Sequence, residues 1–299
     1  MTDDRRCGYV AIVGAPNAGK STLLNALVDA KVSIVTHKAQ TTRMRITGIR
    51  VVGRSQIIFV DTPGILEPKG RLQRAMVKAA WAGARDADRV VLVIDAARGL
   101  NDDVRAIVDG LVKAKRKVIV VLNKIDLIER AALLPLTAAV AATGLACDVF
   151  MVSARQGDGI GDLLDRLAEL MPAGHWIYPE DQLSEMPERL LAAEVTREKL
   201  FLRLHEELPY SLAVETTAWQ ERNDGSVRIE QVIYVAREGH RPIVLGAGGQ
   251  AIKAVGTAAR ADLEQMLGRR VHLFLHVKFK PDWAEDPERY RDLGLDFTA

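Results

Sequence analysis

Eight consecutive residues near the start of the chain have the spacing of a phosphate-binding loop. They run from Gly14 to Ser21, match the pattern GxxxxGK[ST], follow an apolar run and open a helical pattern. The glycines allow backbone N–H groups to turn toward phosphate oxygens, and a helix N-terminus favours negative charge. Lys20 is expected to reach the β- and γ-phosphates and Ser21 to ligate Mg²⁺. The predicted nucleotide-binding residues of this segment are Gly14, Ala15, Pro16, Asn17, Ala18, Gly19, Lys20, Ser21 and Thr22.

A second candidate lies at Asp61-Thr62-Pro63-Gly64, directly after an apolar run. An aspartate at the end of a strand is placed to hold Mg²⁺, and the Gly64 N–H is placed to sense a γ-phosphate. Asp-x-Pro-Gly also describes an ordinary turn. Its position after a phosphate loop favours the functional interpretation.

The segment Asn123-Lys124-Ile125-Asp126 follows another apolar run and predicts the base specificity. The Asp126 carboxylate can accept two hydrogen bonds from guanine, from N1–H and from the exocyclic amine. Adenine does not present these groups in that arrangement, and an unpaired carboxylate is costly. The loop at Ser153 and Ala154 is expected to contact the base edge. These residues indicate GTP and GDP rather than ATP.

The elements that must position these residues alternate between apolar runs and helical patterns, which predicts a parallel sheet covered on both faces. Ligands of such sheets bind outside the carboxyl ends of the strands. The predicted strands are Tyr9–Val13, Ile46–Val52, Gln56–Val60, Arg89–Ile94, Lys117–Leu122 and Val149–Val152. The predicted helices are Ser21–Leu27, Arg71–Ala84, Asp102–Lys115, Ala131–Ala142 and Gly161–Leu170.

Composition is that of a globular protein with two domains. The 299 residues are 48% hydrophobic and 27% charged, with a formal net charge of +2, so whole-chain charge favours neither nucleic acid nor membrane. Cys7 and Cys147 have no metal-site or disulfide spacing, which fits a reducing, cytoplasmic setting. No secretory signal or membrane-spanning run is expected, and nothing demands more than a monomer.

In this order, the four motifs resemble the phosphate-loop GTPase family over about the first 170 residues. The resemblance implies a threonine that closes on Mg²⁺ and the γ-phosphate. Thr41 and Thr42 are the candidates, and Thr42 is favoured. The expected catalytic residues are then Lys20, Thr42 and Gly64, and the expected metal ligands are Ser21, Thr42 and Asp61.

One position departs from that family. Ile65 follows Gly64 where many GTPases have a glutamine that orients water, and an isoleucine side chain cannot donate or accept a hydrogen bond. A partner or a second cation must then assist hydrolysis. In similar GTPases, an asparagine at the position of Asn17 goes with stimulation by K⁺; shaping of the loop by Asn17 is the alternative.

The second half has a different pattern. Residues 173–187 are rich in proline and polar residues and are interpreted as a linker between a GTPase domain at 1–172 and a smaller α+β domain at 188–299. The predicted elements here are a helix at Glu188–Glu207 and strands at Ser211–Thr217, Val227–Val235 and Val271–Phe279. Their order, with a glycine-rich loop at Gly246–Gly249 before a further helix, resembles a KH domain.

KH loops clamp single-stranded nucleic acid because absent side chains let phosphates approach backbone N–H groups. The predicted RNA-binding residues are Gly246, Ala247, Gly248, Gly249, Lys253 and Arg241. From Arg237 to Lys280 there are eight basic and three acidic side chains, the kind of excess that a backbone-tracking surface needs. A solvated charged face is the alternative.

The combination of a KH-like half with Lys38-Ala39-Gln40-Thr41-Thr42-Arg43 and Asp61-Thr62-Pro63-Gly64 is similar to the Era family of bacterial GTPases. The resemblance includes Glu198-Lys199-Leu200, Glu207-Leu208-Pro209-Tyr210 and Val271-His272-Leu273. It implies Mg²⁺, binding to the 3′ end of small-subunit ribosomal RNA, a role in small ribosomal subunit assembly and, in some relatives, loose membrane association. Two alternatives stay open.

In the first alternative, the C-terminal half recruits a protein or a membrane surface instead of RNA. In the second, the chain modifies RNA with GTP as regulator, although no Cys, His or carboxylate constellation indicates such chemistry. His272 and His276 share a strand face, which is more typical of packing or surface than of a metal site.

Overall fold

The chain folds into two compact units. A computed structural model describes residues 4–38, 41–68, 70–205 and 208–298. The first unit contains Met1–Ser33, Thr42–Glu185 and Leu293–Ala299. The second unit contains Ile34–Thr41 and Met186–Asp292.

The first unit has a six-stranded sheet of order β2-β3-β1-β4-β5-β6. Its strands are β1 Arg6–Gly14, β2 Ile46–Val52, β3 Ser55–Asp61, β4 Arg89–Asp95, β5 Val118–Asn123 and β6 Ala146–Val152. The β2–β3 pair is antiparallel and the other pairs are parallel. The central strands are buried on both sides because helices cover both faces, as their near-continuous apolar sequences predict.

The helices of the first unit are α1 Lys20–Val28, α2 Arg71–Asp86, α3 Asp102–Lys113, α4 Arg130–Ala142 and α5 Ile160–Leu170. Each lies within a few residues of its predicted range. Helix α3 shows why such boundaries can be read from sequence: the Asn101 side chain accepts from the Val104 N–H at 3.0 Å, and Asp102 and Asp103 follow in the first turn. One apolar cluster fills the space between β1, β4, β5 and the helices on that side.

The predicted linker is packed for most of its length. Through Glu185 it clusters with the first unit. The Gln56 side chain, fully buried, accepts from the N–H groups of Ile177 and Tyr178 and donates to the Tyr178 carbonyl. The Leu183 carbonyl accepts from Ile49 N–H at 2.9 Å, so this strap covers the β2–β3 side of the sheet. The prolines of this segment predict that it has no helix or strand, but they do not predict these hydrogen bonds to the sheet.

In the described residues, the second unit contains a three-stranded sheet and four α-helices. Its strands are β7 Leu212–Glu221, β8 Val227–Val235 and β9 Val271–Phe279, and its helices are α6 Glu188–Arg203, α7 His240–Leu245, α8 Gln250–Leu267 and α9 Pro287–Asp292. Strand β8 pairs antiparallel with β7 and parallel with β9. Two apolar clusters join α6 and α8 to the inward side of β8. This order is the topology of a KH domain.

Helix α6 ends earlier than predicted. It stops at Arg203 with Leu204 extended, while the prediction continued to Glu207, which lies outside the described residues. The Lys38 ammonium donates to the carbonyls of Phe201 and Leu204 at this end of the helix, where a positive charge is favourable. In the described part of the chain, no helix is both long and apolar enough to cross a membrane.

Candidate functional site

The phosphate-loop segment joins the end of β1 to the start of α1. Helix α1 begins at Lys20 without a side-chain cap, and the N-cap Gly19 has left-handed backbone (φ 93°). A Cβ on Gly19 would lie 2.3 Å from the Asn123 side-chain nitrogen, so only glycine fits there. The first-turn N–H groups of α1 therefore line the end of the loop, where an anion is favoured.

Lys20 points back into this loop. Its Nζ donates to the carbonyls of Gly14 and Ala15 at 3.1 and 3.0 Å, and the residue is 6% exposed. Burial lowers the pKa of Lys20 to about 8, and the nearby Asp61 carboxylate partly opposes this. The loop thus contains a buried cation that bonds two carbonyls and lies near one carboxylate, an arrangement suited to bind phosphate oxygens.

Three hydroxyls converge on Asp61 at the end of β3. Ser21 Oγ donates to Asp61 Oδ2 at 2.7 Å and lies 2.9 Å from Thr42 Oγ1. Thr42 Oγ1 and Ser33 Oγ lie 3.3 and 3.4 Å from the same oxygen. Asp61 Oδ1 is buried and has no hydrogen-bond partner among residues 4–38, 41–68, 70–205 and 208–298. A fully buried carboxylate with one open oxygen beside hydroxyls has the donor set that Mg²⁺ uses.

The structure distinguishes the two candidate threonines by position. Thr42 faces Asp61 and Ser21, whereas the Thr41 hydroxyl bonds Thr36 and the Lys38 carbonyl. Burial raises the pKa of the Asp61 carboxyl, and Lys20 and the hydroxyls oppose that shift.

The base-recognition segment is tied to the phosphate loop by side chains of its own. The Asn123 side chain donates to the Ala18 carbonyl at 3.0 Å and accepts from Ala154 N–H at 3.1 Å. Lys124, with left-handed backbone, donates to the Asn17 carbonyl and to Asp95, each at 2.7 Å. These bonds connect the ends of β1, β4, β5 and β6 at one edge of the sheet.

Asp126 lies at the outer end of this group. Its Oδ1 accepts from Ser153 Oγ at 2.6 Å, and the residue is solvent-exposed. The Ser153 bond orients the carboxylate and leaves Oδ2 for a ligand.

Two residues that contact the site, Asp95 and Ser33, were not predicted from sequence. Asp95 ends β4 and could have been found by the same strand-end rule as Asp61; nothing in the pattern around Ser33 indicated its position.

After β3, the Gly64 backbone lies near the phosphate loop and the Ile65 side chain lies in the apolar core. A Cβ on Gly64 would meet Pro16 at 3.1 Å, so its backbone lies close to the phosphate loop, and Ile65 N–H donates to the Gly14 carbonyl at 3.2 Å. The Ile65 side chain is 7% exposed and belongs to the apolar core. It is therefore turned away from solvent, in keeping with its inability to orient water.

In the second unit, Gly246–Gly249 connects α7 to α8. Gly246, Gly248 and Gly249 all have positive φ (73°, 58° and 76°), and Gly249 N–H donates to the Gly246 carbonyl at 3.1 Å. A Cβ on Gly246 would lie 2.6 Å from the Ala251 Cβ, while Gly248 and Gly249 have nothing within 4 Å. Ala247, Arg241 and Lys253 are exposed around this loop. The loop is an open backbone surface beside two cations.

Models of two protein families match the chain. A family described as 50S ribosome-binding GTPase matches residues 9–124, and the KH domain family matches residues 207–284. The chain is 56% identical over 292 residues to GTPase Era of Rhizobium meliloti (strain 1021), covering 98% of this chain and 93% of that protein. It is 54% identical over 312 residues to GTPase Era of Caulobacter vibrioides (strain NA1000 / CB15N), covering 100% and 99%.

The chain belongs to the Era family of GTPases.

Two solved structures extend that assignment. An Era variant from Aquifex aeolicus bound to GDP.AlF4− is 41% identical, covers 97% of this chain and 99% of its own, and has a TM-score of 0.91. An Era in complex with MgGDPNP and nucleotides 1506–1542 of 16S ribosomal RNA has the same identity and coverages and a TM-score of 0.92. The predictions of an Era-family GTPase and of a GTPase domain followed by a KH domain are confirmed.

Proposed function

We propose that this Era-family GTPase is a GTP- and Mg²⁺-dependent switch that binds the 3′ end of small-subunit ribosomal RNA and assists small ribosomal subunit assembly. The observation that carries the proposal is the likeness, over 97% of the chain, to an Era in complex with MgGDPNP and 16S ribosomal RNA nucleotides. The geometry of this chain's own two sites supports it in the following ways.

The phosphate loop supplies the groups that a triphosphate needs. Lys20 exchanges its two carbonyl partners for β- and γ-phosphate oxygens, and the N–H groups at the start of α1 approach the phosphates. The proposed nucleotide-binding residues are Gly14, Ala15, Pro16, Asn17, Ala18, Gly19, Lys20, Ser21, Thr22, Asp61, Gly64, Asn123, Lys124, Asp126, Ser153 and Ala154.

The proposed metal ligands are Ser21, Thr42 and Asp61, and the open, buried Asp61 oxygen is the feature of this structure that fits Mg²⁺. When bound, the ion neutralises charge that develops on the β- and γ-phosphate oxygens. Thr42 and the Gly64 N–H then meet the γ-phosphate, so only GTP holds both segments closed. Hydrolysis releases them, which is the order–disorder device that GTPases use as a switch.

Ile65 leaves the water-orienting role unfilled, and K⁺ at Asn17 is the proposed assistant. Asn17 has left-handed backbone (φ 64°), its carbonyl accepts from Lys124, and its side-chain amide oxygen is the proposed ligand for a cation beside the phosphates. Turnover in KCl and NaCl buffers of equal ionic strength tests this. A clear excess in KCl that disappears in Asn17→Ala is expected, and equal turnover in the two salts would remove K⁺ from the mechanism.

The RNA surface is proposed at the glycine loop. Gly248 and Gly249 present backbone without side chains, and exposed Arg241 and Lys253 are placed to neutralise phosphates. Gly246 has a structural role instead: because it has no Cβ, Ala251 can pack closely against it at the start of α8.

RNA recognition is tested by titrating the full chain into two labelled strands of equal length, one matching the 3′ end of small-subunit ribosomal RNA and one with its sequence scrambled. Preferential binding of the first, with affinity that falls steeply as salt rises, is expected. A strand from large-subunit ribosomal RNA is a useful third arm, because the family description names the 50S ribosome. No preference among the three strands would contradict the proposed target.

The assembly role has its own test. Depletion of the chain in cells is expected to raise free small and large subunits at the expense of whole ribosomes, with immature small-subunit RNA. A normal subunit profile would contradict the assembly role and leave RNA binding unaffected.

We expect the GTPase to act as a monomer in the cytoplasm. Retention on anionic lipid vesicles without RNA binding would instead favour recruitment of the second unit to a membrane.

A further inference from the structure

Residues 29–33 of the first unit lead from the end of α1 toward the proposed metal ligands. Asp29 ends the helix with left-handed backbone (φ 61°), a conformation that aspartate tolerates better than most residues, and its N–H donates to the Asn25 carbonyl. The chain then turns back along the helix. This reversal brings Val32 and Ser33 beside the Asn25 side chain.

The Asn25 side chain holds these two residues by three hydrogen bonds. Its Oδ1 accepts from the N–H groups of Val32 and Ser33 at 3.0 and 2.9 Å, and its Nδ2 donates to the Ser33 carbonyl at 2.8 Å. The two N–H donors require an oxygen opposite them, which fixes the orientation of the amide. Val32 and Ser33 are only 5% and 1% exposed, so water has little access to replace these bonds.

Ser33 presents its hydroxyl to the Asp61 carboxylate. Its Oγ lies 3.4 Å from Asp61 Oδ2, the oxygen that also accepts from Ser21 Oγ at 2.7 Å. Because Asn25 bonds both the N–H and the carbonyl of Ser33, it fixes the backbone from which this hydroxyl extends. Asp61 is fully buried, and its Oδ1 has no hydrogen-bond partner in the part of the chain that the structure describes. The hydroxyls at Oδ2 therefore orient the carboxylate and leave Oδ1 open.

We propose that Asn25 is a positioning residue for Mg²⁺-dependent nucleotide binding, which acts by holding Ser33 against the Asp61 carboxylate. This inference rests on the proposed role of Asp61 as a metal ligand. Groups that hydrogen-bond a ligating carboxylate orient it for the metal. A carboxylate that is already oriented also loses less conformational freedom when it binds the ion.

The expected consequence is selective for the contribution of Mg²⁺ to nucleotide affinity. We define the magnesium enhancement as the affinity for a non-hydrolysable GTP analogue in Mg²⁺ divided by the affinity in EDTA. Loss of the Asn25 bonds should lower the affinity in Mg²⁺ and leave the affinity in EDTA unchanged, because the contacts of Lys20 with phosphates do not involve Ser33. A merely structural role would change both affinities alike and would not change this ratio.

The test compares Asn25→Ala with Asn101→Ala in the full chain. Asn101 is also an asparagine of the first unit whose side chain bonds a backbone N–H, that of Val104 at the start of α3, so its removal controls for a general loss of stability. Asn25→Ala should lower the magnesium enhancement about tenfold, the lower end of what outer-shell partners of a metal site contribute. Asn101→Ala should leave it unchanged.

Two outcomes of this comparison would overturn the inference. One is an unchanged magnesium enhancement in Asn25→Ala. The other is an equal fall in Asn101→Ala, since the effect would then come from lower stability and not from the position of Ser33.

Ser33→Ala tests the route from Asn25 to Asp61. It removes only the hydroxyl and keeps the backbone groups that Asn25 bonds, so the fold should persist even if Asn25→Ala does not fold. We expect the magnesium enhancement to fall about threefold, the size of one ordinary hydrogen bond. An unchanged enhancement in Ser33→Ala would overturn the inference.

The double variant Asn25→Ala/Ser33→Ala sharpens this test. If Asn25 acts through Ser33, the double variant should be no weaker than Asn25→Ala alone, because the second substitution removes a contact that the first has already disrupted. A fall of about thirtyfold, the product of the two single effects, would mean that the residues act independently and would contradict the proposed route.

Asp61→Asn separates this inference from the role on which it rests. If Asp61→Asn removes the magnesium enhancement while Asn25→Ala retains it, the positioning role of Asn25 is wrong and Asp61 remains a metal ligand. If Asp61→Asn retains the enhancement, the assignment of the metal site fails and the role of Asn25 fails with it.

Discussion

The two glycine-rich loops of this chain are built in different ways. The loop of the first unit is surrounded by side chains that reach into it: Lys20 bonds two of its carbonyls, and Asn123 and Lys124 each bond another. The loop of the second unit depends on backbone: three glycines with positive φ, backbone hydrogen bonds from Gly246 N–H to the Pro242 carbonyl and from Gly249 N–H to the Gly246 carbonyl, and the close contact of Gly246 with Ala251. Polar side chains hold the first loop, whereas the second loop exposes backbone because its glycines have no side chains.

This difference determines how each site should respond to substitution. In the first loop, removal of one charged group should abolish a function while the backbone persists. In the second, added side chains should interfere, and the size of the effect should depend on charge as well as bulk. The predictions below test that contrast, beginning with the largest expected effect.

Lys20→Ala should lower GTP turnover at least about a hundredfold, because the ammonium that bonds the Gly14 and Ala15 carbonyls is the group proposed to stabilise charge that develops on the phosphates. Steady-state phosphate release measures it. Lys117→Ala, an exposed lysine of the same unit, is the control. Full activity of Lys20→Ala would mean that the loop does not bind the triphosphate.

Asp126→Asn should weaken GTP binding by about a hundredfold and improve binding of xanthosine triphosphate, since an amide can donate to the carbonyl that replaces the guanine amine. Asp126 is exposed, and its bond from the Ser153 hydroxyl is one that the asparagine amide oxygen can also accept, so the fold should persist. Competition between the two nucleotides measures the change, with Asp162→Asn on α5 as control. An unchanged preference for guanine would exclude Asp126 from base recognition.

Aspartates at Gly248 and Gly249 should weaken binding of the 3′-end RNA about tenfold or more while GTP turnover stays normal, because two negative charges would face the phosphates. Both positions have left-handed backbone that Asp and Asn tolerate, and neither Cβ meets a neighbour. The double asparagine variant adds the same bulk without charge and should lose less affinity.

If both double variants lose affinity equally, bulk rather than charge controls access to the loop. If neither loses affinity, the RNA surface lies elsewhere. Gly246 is unsuitable for this test, because any side chain there collides with Ala251 and would confuse folding with binding.

A smaller effect is expected from pH. Burial lowers the pKa of Lys20 to about 8 in the free protein, so the ammonium proposed to bind phosphate is mostly present below pH 8 and mostly lost above it. Bound phosphates stabilise the ammonium, so the dissociation constant for GDP should rise about fourfold from pH 7 to pH 8.5. GMP, which lacks the β-phosphate, should show a flatter profile. Equal profiles for GDP and GMP would assign the titration to another group.

The features that could be predicted from sequence are those with a local signal, such as the strands and motifs of the first unit. The strands of the first unit were located closely because residues 90–94 and 118–122 are continuous apolar runs, and polar residues end both strands. The motif residues of the nucleotide site were predicted for the same reason and stay a prediction; the structure brings Lys20, Asp61, Asn123 and Asp126 to one edge of the sheet.

Features that depend on long-range contacts were not predictable. The bonds of Gln56 to Ile177 and Tyr178 join residues more than 100 positions apart, so the predicted linker could not be distinguished from a packed strap. The contact of Arg197 with Thr41 spans 156 positions and has no local signal. The glycine loop of the second unit was found through the order of helices and strands around it, since a Gly-x-x-Gly pattern alone is too common to identify a site.

The most direct test of the switch is the affinity for the 3′-end ribosomal RNA strand in two nucleotide states. Fluorescence polarisation with labelled RNA would be measured with GDP and with a non-hydrolysable GTP analogue across a salt series. We predict tighter binding with the analogue at each salt concentration, with a steep salt dependence in both states. Equal affinity in the two states would contradict GTP control of RNA binding, and absence of binding in both would remove RNA as the ligand of the second unit.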